Sequence, residues 1–287
     1  MIIDENVICL YDHIMPCTGV ADNSETILGY NVSMENSKLR LVPLSMDSLP
    51  PEQRHFYDTR VVVNKQTAIQ LCQATLSQDN PTWHSERKLR ITGSICRGLH
   101  TFEPWDEGEW EGKIERLLSG RKFKGNSATA YGKASEPAAL ERYQAMTGNV
   151  PEKFGLVVNP SVPWLGYSPD AVVMNNAVPA RLIEVKSPTR GKTASIRKLV
   201  KKGKIPYLVK EGKKIALKEA HPFSSQCQLG LLLLNLEVCD FVVFSKVRPA
   251  VIQLQRDAVH IKSLVRKLRY VYFKYMLPKL TEMKTGC

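Results

Sequence analysis

Three side chains of catalytic type stand close together between Trp164 and Pro188, in the stretch WLGYSPDAVVMNNAVPARLIEVKSP. Asp170 lies near the end of one β-rich run, and Glu184 and Lys186 lie two apart on the next. The turn-prone pair Asn175-Asn176 separates the runs and predicts a hairpin over 164–187. Side chains alternate along a strand, so Glu184 and Lys186 share one face and Val185 takes the other. Folding back at the asparagines brings position 170 roughly opposite 183 or 184. Two carboxylates placed so can hold a divalent cation, with Lys186 beside it. That set suits metal-assisted phosphodiester hydrolysis: the metal supplies the nucleophile and offsets phosphate charge, and the lysine orients or polarises the attacking water.

The same spacing also describes a solvated strand face, where Glu and Lys commonly alternate. The apolar frame argues against that, since Leu182, Ile183 and Val185 surround Glu184 and predict a largely interior strand. A buried Glu and Lys need partners. A metal with its bound water is one such set and a structural ion pair is the other; the local sequence leans towards the metal.

Composition restricts the setting. The 287 residues suffice for one generous core, or a core domain with an appendage. A hydrophobic content of 43% and a mean hydropathy of −0.22 are those of a soluble globular protein. No apolar run approaches the ~20 residues of a membrane span; the longest candidate, Leu229 to Leu236, reads as a buried helix segment. The opening MIIDENVICLYDH lacks the basic start and apolar core of a secretory signal. Seven scattered cysteines (Cys9, Cys17, Cys72, Cys96, Cys227, Cys239, Cys287) form no CxxC pair, which indicates neither a zinc site nor a disulfide framework. The expectation is a reduced, intracellular protein of cytoplasm or nucleus. Net charge is +12, and between Lys186 and Lys218 twelve Lys or Arg face a single acid, Glu211. Such a run is often just a solvated loop. Directly after the carboxylate–lysine hairpin it reads better as a surface for a polyanion, whose binding weakens steeply with salt.

The elements that must position these residues are unevenly readable. Residues 1–80 form a poorly defined N-terminal extension: a polar opening, a linker at Pro50-Pro51, a short strand over Arg60 to Asn64 and a helix over Gln66 to Ser77. From Thr82, WHSERKLRITGSICRGL predicts a helix, a break at Gly93 and a second helical turn. Tyr131 to Met146 is helical by its apolar spacing, with Leu140 and Tyr143 on the face of Glu136. Pro137 fits a first turn capped by Ser135, which would split this stretch into two helical pieces. Ser224 to Glu237 reads as a buried helix, Asp240 to Ser245 and Val251 to Gln255 as strands, and Ala258 to Met276 as an amphipathic helix ended by Pro278. The order predicts an α/β core, a short mixed sheet covered by helices, over residues 81–287.

Five segments resemble, in order, motifs of the phage lambda exonuclease and YqaJ-type viral-recombinase branch of the PD-(D/E)xK nucleases, over roughly Trp83 to Ser245. WHSERKLRITGS is similar to the family's W-H-x-x-R…I-T-x-S entry segment, and YGKASEPAALERY to its aromatic-Gly-x-x-x-Glu helix. YSPDAVV looks like the S-P-D-G strand end, LIEVKSP like L-E-x-K-C-P, and HPFSSQCQLGL like the aromatic-x-x-Q-x-Q helix. Ala171, Ser187 and Phe223 depart from the family's usual Gly, Cys and Tyr. The resemblance implies a restriction-endonuclease-like core and a Mg²⁺-dependent (or Mn²⁺-dependent) exonuclease on linear duplex DNA, linked to recombination. Asp170 and Glu184 would be metal ligands with the Val185 carbonyl, and Lys186 the catalytic lysine. Glu136 would approach the same ions; otherwise it is a helix-start acid favoured by the dipole. Gln226 and Gln228 would orient the nucleophile or the scissile strand, the alternative being polar residues capping a buried helix. Arg87 and Ser94 match positions that bind a terminal 5′ phosphate, the fork of a guanidinium and a hydroxyl being suited to it. Arg90 is a further phosphate candidate without a family counterpart, and Lys201, Lys202 and Lys204 of the basic insert are DNA-binding candidates. A single-strand-annealing partner and a homo-oligomer accompany this role. The competing expectations are an endonuclease with the same metal site and a catalytically decayed DNA-binding accessory protein of recombination.

Overall fold

The structure is a computed structural model that describes residues 4–14, 29–35, 38–44, 48–119 and 125–285. Its first half runs α1 (Glu5–Ile14), the antiparallel pair β1 (Gly29–Glu35) and β2 (Lys38–Leu44), then α2 (Pro51–Arg60) and α3 (Lys65–Ala74). It continues through α4 (Pro81–Lys88), β3 (Ile91–Thr92), α5 (Gly93–His100), α6 (Glu107–Leu118) and α7 (Ser127–Thr147). Next come β4 (Pro151–Glu152), β5 (Leu165–Gly166) and the hairpin of β6 (Ala171–Asn175) and β7 (Val178–Lys186). The second half has α8 (Ile196–Lys201), the hairpin of β8 (Leu208–Glu211) and β9 (Lys214–Leu217), and α9 (Pro222–Leu233). Finally β10 (Val238–Val243), β11 (Ala250–Gln255), α10 (Ala258–Val271), a π-helical turn over Tyr272–Met276 and α11 (Leu277–Thr285) complete the chain.

The main sheet has the order β11-β10-β7-β6-β4. It is mixed, since β7 pairs antiparallel with β6 and parallel with β10. Alternation along β7 sends Ile183 and Val185 to one face, where Leu140 and Tyr143 of α7 cover them, and Leu182 to the other, in the core that also holds α9. The expected mixed sheet covered by helices is therefore present. A polar latch fastens α7 to the sheet: the Tyr143 hydroxyl donates to Asp240 Oδ2 at 2.6 Å and Arg181 pairs with Oδ1 at 3.2 Å. Leu10, Tyr11, Tyr57 and Cys72 of α1–α3 lie in the same core as Trp164 and Tyr272. Among the described residues no helix is long and apolar enough to cross a membrane. Cys9, Cys72, Cys96, Cys227 and Cys239 are free thiols, and Cys17 and Cys287 lie outside the described residues.

Five sequence expectations fail, mostly at prolines. Pro51 opens α2 rather than a linker, since a first-turn proline forfeits no helical hydrogen bond, and residues 60–64 finish that helix and cap the next instead of forming a strand. Pro137 lies inside a continuous α7, held at its start by a capping box between Asn126 and Thr129 and ended by Gly148 in the left-handed region (φ 76°). The Ser135 hydroxyl caps nothing and donates to the Tyr131 carbonyl at 2.6 Å. Pro137 is exposed, and so is Lys133, whose carbonyl loses its helical donor and can be hydrated. Pro278 does not end the last helix; it occupies the first turn of α11, after the π turn. Gly93 likewise begins α5 instead of breaking a helix, the break being β3, which pairs with β5.

Candidate active site

The β6–β7 hairpin turns through Asn176 and Ala177, with φ of 49° and 61°, two consecutive left-handed residues of the kind that suits the twist of a tight hairpin. Ala171 pairs with Ile183, so Asp170 stands one step before β6 and opposite Glu184, as the sequence predicted. The Val185 N–H donates to Asp170 Oδ2 at 2.6 Å. A strand residue's N–H and C=O leave on the same side, so the Val185 carbonyl also points towards Asp170. Glu184 is 1% exposed. Its Oε1 accepts from Lys186 Nζ and Gln226 Nε2, both at 2.5 Å, and its Oε2 accepts from the Tyr167 hydroxyl at 2.6 Å. Lys186 lies over the Phe223 ring, 4.7 Å from its centroid. From α7, Glu136 lines the same cavity as Lys186 and pairs with Lys153 at 2.9 Å.

Burial, then the nearby charge of Glu184, pushes Asp170 up to about 8, against the pull of Lys186 and the Val185 N–H. Burial pulls Lys186 down, but Glu184 and Asp170 outweigh it and hold the ammonium well above the usual lysine range. That environment favours the ammonium, which donates to Glu184. Two crowded carboxyls in a low-dielectric site are the environment a divalent cation relieves. The donors on hand are all oxygens: Asp170, Glu184 and the Val185 carbonyl, with Glu136 at the rim. Hard cations such as Mg²⁺ and Mn²⁺ take such a set and complete it with water. Among the described residues no group of three or more His, Cys, Asp or Glu side chains gathers tightly enough to hold a metal unaided. The pair plus carbonyl fits a water-rich hard cation, and fits zinc poorly.

The remaining candidates divide. Gln226 reaches Glu184, but Gln228, two residues on, points elsewhere: its amide donates to the Gln255 carbonyl and accepts from the Asp257 N–H, both at 2.8 Å. Gln228 therefore secures the start of α10 and is absent from the site. Arg90 is also corrected. It is fully buried and donates to the carbonyls of Pro163, Glu86 and Val61 and to the Glu86 carboxylate, so it presents nothing at the surface to a phosphate. Arg87 differs. Its guanidinium stacks 4.2 Å above Trp83 and donates to Ser94 Oγ at 3.2 Å and Ser168 Oγ at 3.4 Å. No described carboxylate pairs with it, and burial lowers it to about 10. Lys201, Lys202 and Lys204 are exposed at and beyond the end of α8.

Sequence reasoning missed Tyr167, although it opens the YSPD motif. Its ring lies against two glycines: a Cβ at Gly93 would meet it at 2.8 Å and one at Gly230 at 2.6 Å. Space for this ring explains both glycines, and the ring carries its hydroxyl to Glu184.

Solved structures are similar to this chain. The alkaline exonuclease LHK-Exo from Laribacter hongkongensis is 20% identical with a TM-score of 0.52, covering 72% of this chain and 97% of that one. The same exonuclease in complex with dAMP is 21% identical with a TM-score of 0.51, covering 70% and 94%. A phage-related exonuclease from Haemophilus somnus is 16% identical with a TM-score of 0.47, covering 68% and 96%. The LHK-Exo likeness shows that the two chains share a fold. No curated protein matches the chain. The model of the YqaJ-like viral recombinase domain matches residues 82–228, just over half of the chain, and takes in Arg87, Glu136, Asp170, Glu184, Lys186 and Gln226. The chain belongs to the YqaJ-like viral recombinase domain family.

Proposed function

We propose that the chain is a divalent-metal-dependent deoxyribonuclease that digests linear duplex DNA as an exonuclease, starting from a 5′-phosphorylated end. Family membership supports a DNA nuclease acting in recombination. The observation that carries the chemistry is the meeting of Asp170, Glu184 and Lys186 at one strand end, beside an open cavity. A bound Mg²⁺, or Mn²⁺ in its place, supplies charge neutralisation and a water acidic enough to attack at neutral pH. Lys186, held protonated, orients that water and balances charge on the phosphate. Gln226 and Tyr167 fix the Glu184 carboxylate from two sides, and Glu136 adds an acceptor from α7. Intact Asp170, Glu184, Lys186 and Glu136 argue against decay.

End recognition rests on Arg87. A half-buried guanidinium stacked on Trp83, flanked by two hydroxyls and with no carboxylate partner among the described residues, is a ready site for a terminal phosphate. The test is digestion of end-labelled linear and closed-circular DNA with Mg²⁺ and with EDTA, on 5′-phosphate and 5′-hydroxyl ends. We expect metal-dependent loss of linear DNA only, and a preference for phosphorylated ends of about tenfold to a hundredfold, the worth of a charge-assisted hydrogen bond. Arg87→Ala should erase most of that preference. Equal digestion of both ends, with circular DNA cut as readily, would establish the endonuclease reading.

Two further outcomes follow from the geometry. Tyr167→Phe deletes one hydroxyl from Glu184's shell and leaves the packed ring. Turnover should fall roughly tenfold to a hundredfold with little change in KM, and metal affinity measured by calorimetry should weaken alongside it. Wild-type metal affinity in this variant would reduce Tyr167 to packing. Neutralising Lys201, Lys202 and Lys204 together should weaken DNA binding irrespective of sequence and flatten log affinity against log salt by up to ~1 per lost phosphate contact. An unchanged slope would leave these lysines facing solvent.

A further inference from the structure

The N-terminal half of α7, the end of β7 and the start of α9 enclose a cavity of about 440 Å³ beside the carboxylates. Glu136 and Lys186 line it at the reacting end. Its aromatic wall is Tyr207, from the basic insert, and Phe223, with ring centroids 5.1 Å apart and planes at 72°. Ser187 also lines it, and the Ser187 hydroxyl is buried without a hydrogen-bond partner among the described residues. A buried hydroxyl in that condition is costly and is satisfied by whatever enters. Gly132 of α7 completes the lining, and a Cβ there would meet nothing within 4 Å. Volume, aromatic surface and one unspent polar group match a small-molecule-sized ligand with a flat ring.

We propose that this cavity is a nucleoside subsite, in which the base 3′ of the scissile phosphate stacks on Tyr207 with its edge towards Phe223 and the nucleoside hydrogen-bonds to Ser187. The inference rests on the nuclease reading, which places the scissile phosphate at Lys186 and Glu136. Its direction follows from the order of groups along the site. Arg87, Ser94 and Ser168 do not line the cavity; Ser168 leads to Asp170, Asp170 bonds to Val185, and Val185 leads to Ser187. A terminal nucleotide reaching from Arg87 to the carboxylates leaves the next nucleoside on the cavity side. Base–aromatic stacking is tolerant of sequence, because every base has a π face.

The test is DNA affinity of the full chain in EDTA, using 5′-phosphorylated duplexes that are intact or abasic at the first or second nucleotide. Removing the second base should weaken wild-type binding about tenfold, a typical worth of one stacked base. Tyr207→Ala should lose a similar factor on intact DNA and nothing more on the second-position abasic duplex, whereas Tyr207→Phe should behave as wild type. Gly132→Leu enters the cavity from a Cβ position with nothing within 4 Å and removes a helix-interior glycine, so it should fold and reproduce the Tyr207→Ala pattern. A wild-type ratio of intact to abasic affinity in both Tyr207→Ala and Gly132→Leu, or a Tyr207-dependent penalty at the first nucleotide only, overturns the subsite. If salt-sensitive DNA binding persists in those arms, the nuclease reading stands without it. Absence of DNA binding in every arm overturns both.

Discussion

Asp170→Asn and Glu184→Gln should each abolish Mg²⁺-dependent cleavage of linear DNA, by roughly a thousandfold or more, while leaving DNA affinity in EDTA nearly unchanged. The size follows from chemistry: loss of metal-held stabilisation costs several kcal/mol in the transition state, and each ~1.4 kcal/mol is a factor of ten in rate. Binding should survive, because the proposed phosphate contacts are those of Arg87 and the basic insert. The amides are preferable to alanine here. Glu184 is buried against Lys186, Gln226 and Tyr167, and truncating it would strand a buried ammonium, a defect worth about 3–5 kcal/mol of stability. Rates measured beside thermal melts separate the two effects. A folded variant retaining a tenth of wild-type activity would remove that carboxylate from the reaction.

Lys186→Arg preserves charge and should still lower turnover by two orders of magnitude or more, with affinity unchanged. The ammonium occupies a narrow place, 2.5 Å from Glu184 Oε1 and 4.7 Å from the Phe223 centroid. A planar guanidinium is broader, and its fork would reach past the carboxylates towards the attacking water's position. Effects of this order are typical when a positioned charge or donor in a reacting site is lost. Single-turnover rates at saturating DNA distinguish slower chemistry from weaker binding. Normal cleavage by this variant would make Lys186 merely a strand-face charge.

Much of this site could be read locally. Asp170, Glu184 and Lys186 announce themselves through alternation and a turn, and both depend on neighbours a few residues away. What escaped reading depends on remote partners. Arg90 and Arg87 look alike in SERKLR, yet Arg90 is satisfied by carbonyls at residues 61 and 163, far along the chain. Gln226 and Gln228 lie two apart on one helix, and a helix turns about 200° over that interval, so one meets β7 and the other Gln255 and Asp257. Prolines misled for a related reason: a ring at the first turn of α2 or α11 has the composition of a stop and the geometry of a start. Tyr167 escaped because its importance lies in a hydroxyl seventeen residues from its acceptor and in two distant glycines that admit its ring.

The parallel pairing of β7 with β10 has a consequence for the birth of the molecule. Every residue assigned to the reaction precedes residue 230, yet the strand that covers the outer edge of β7 spans Val238–Val243 and arrives only after α8, the β8–β9 hairpin and α9. Until it docks, the strand bearing Glu184 and Lys186 is a rim with unpaired backbone groups, and a rim invites pairing with another chain. A parallel partner separated by such a crossover must wait for loop closure, which is slow. During vectorial synthesis the site should therefore stay incomplete until β10 has left the ribosome. A fragment ending at residue 228, where the family match ends, would lack the strand that completes the rim and should aggregate instead of cutting DNA.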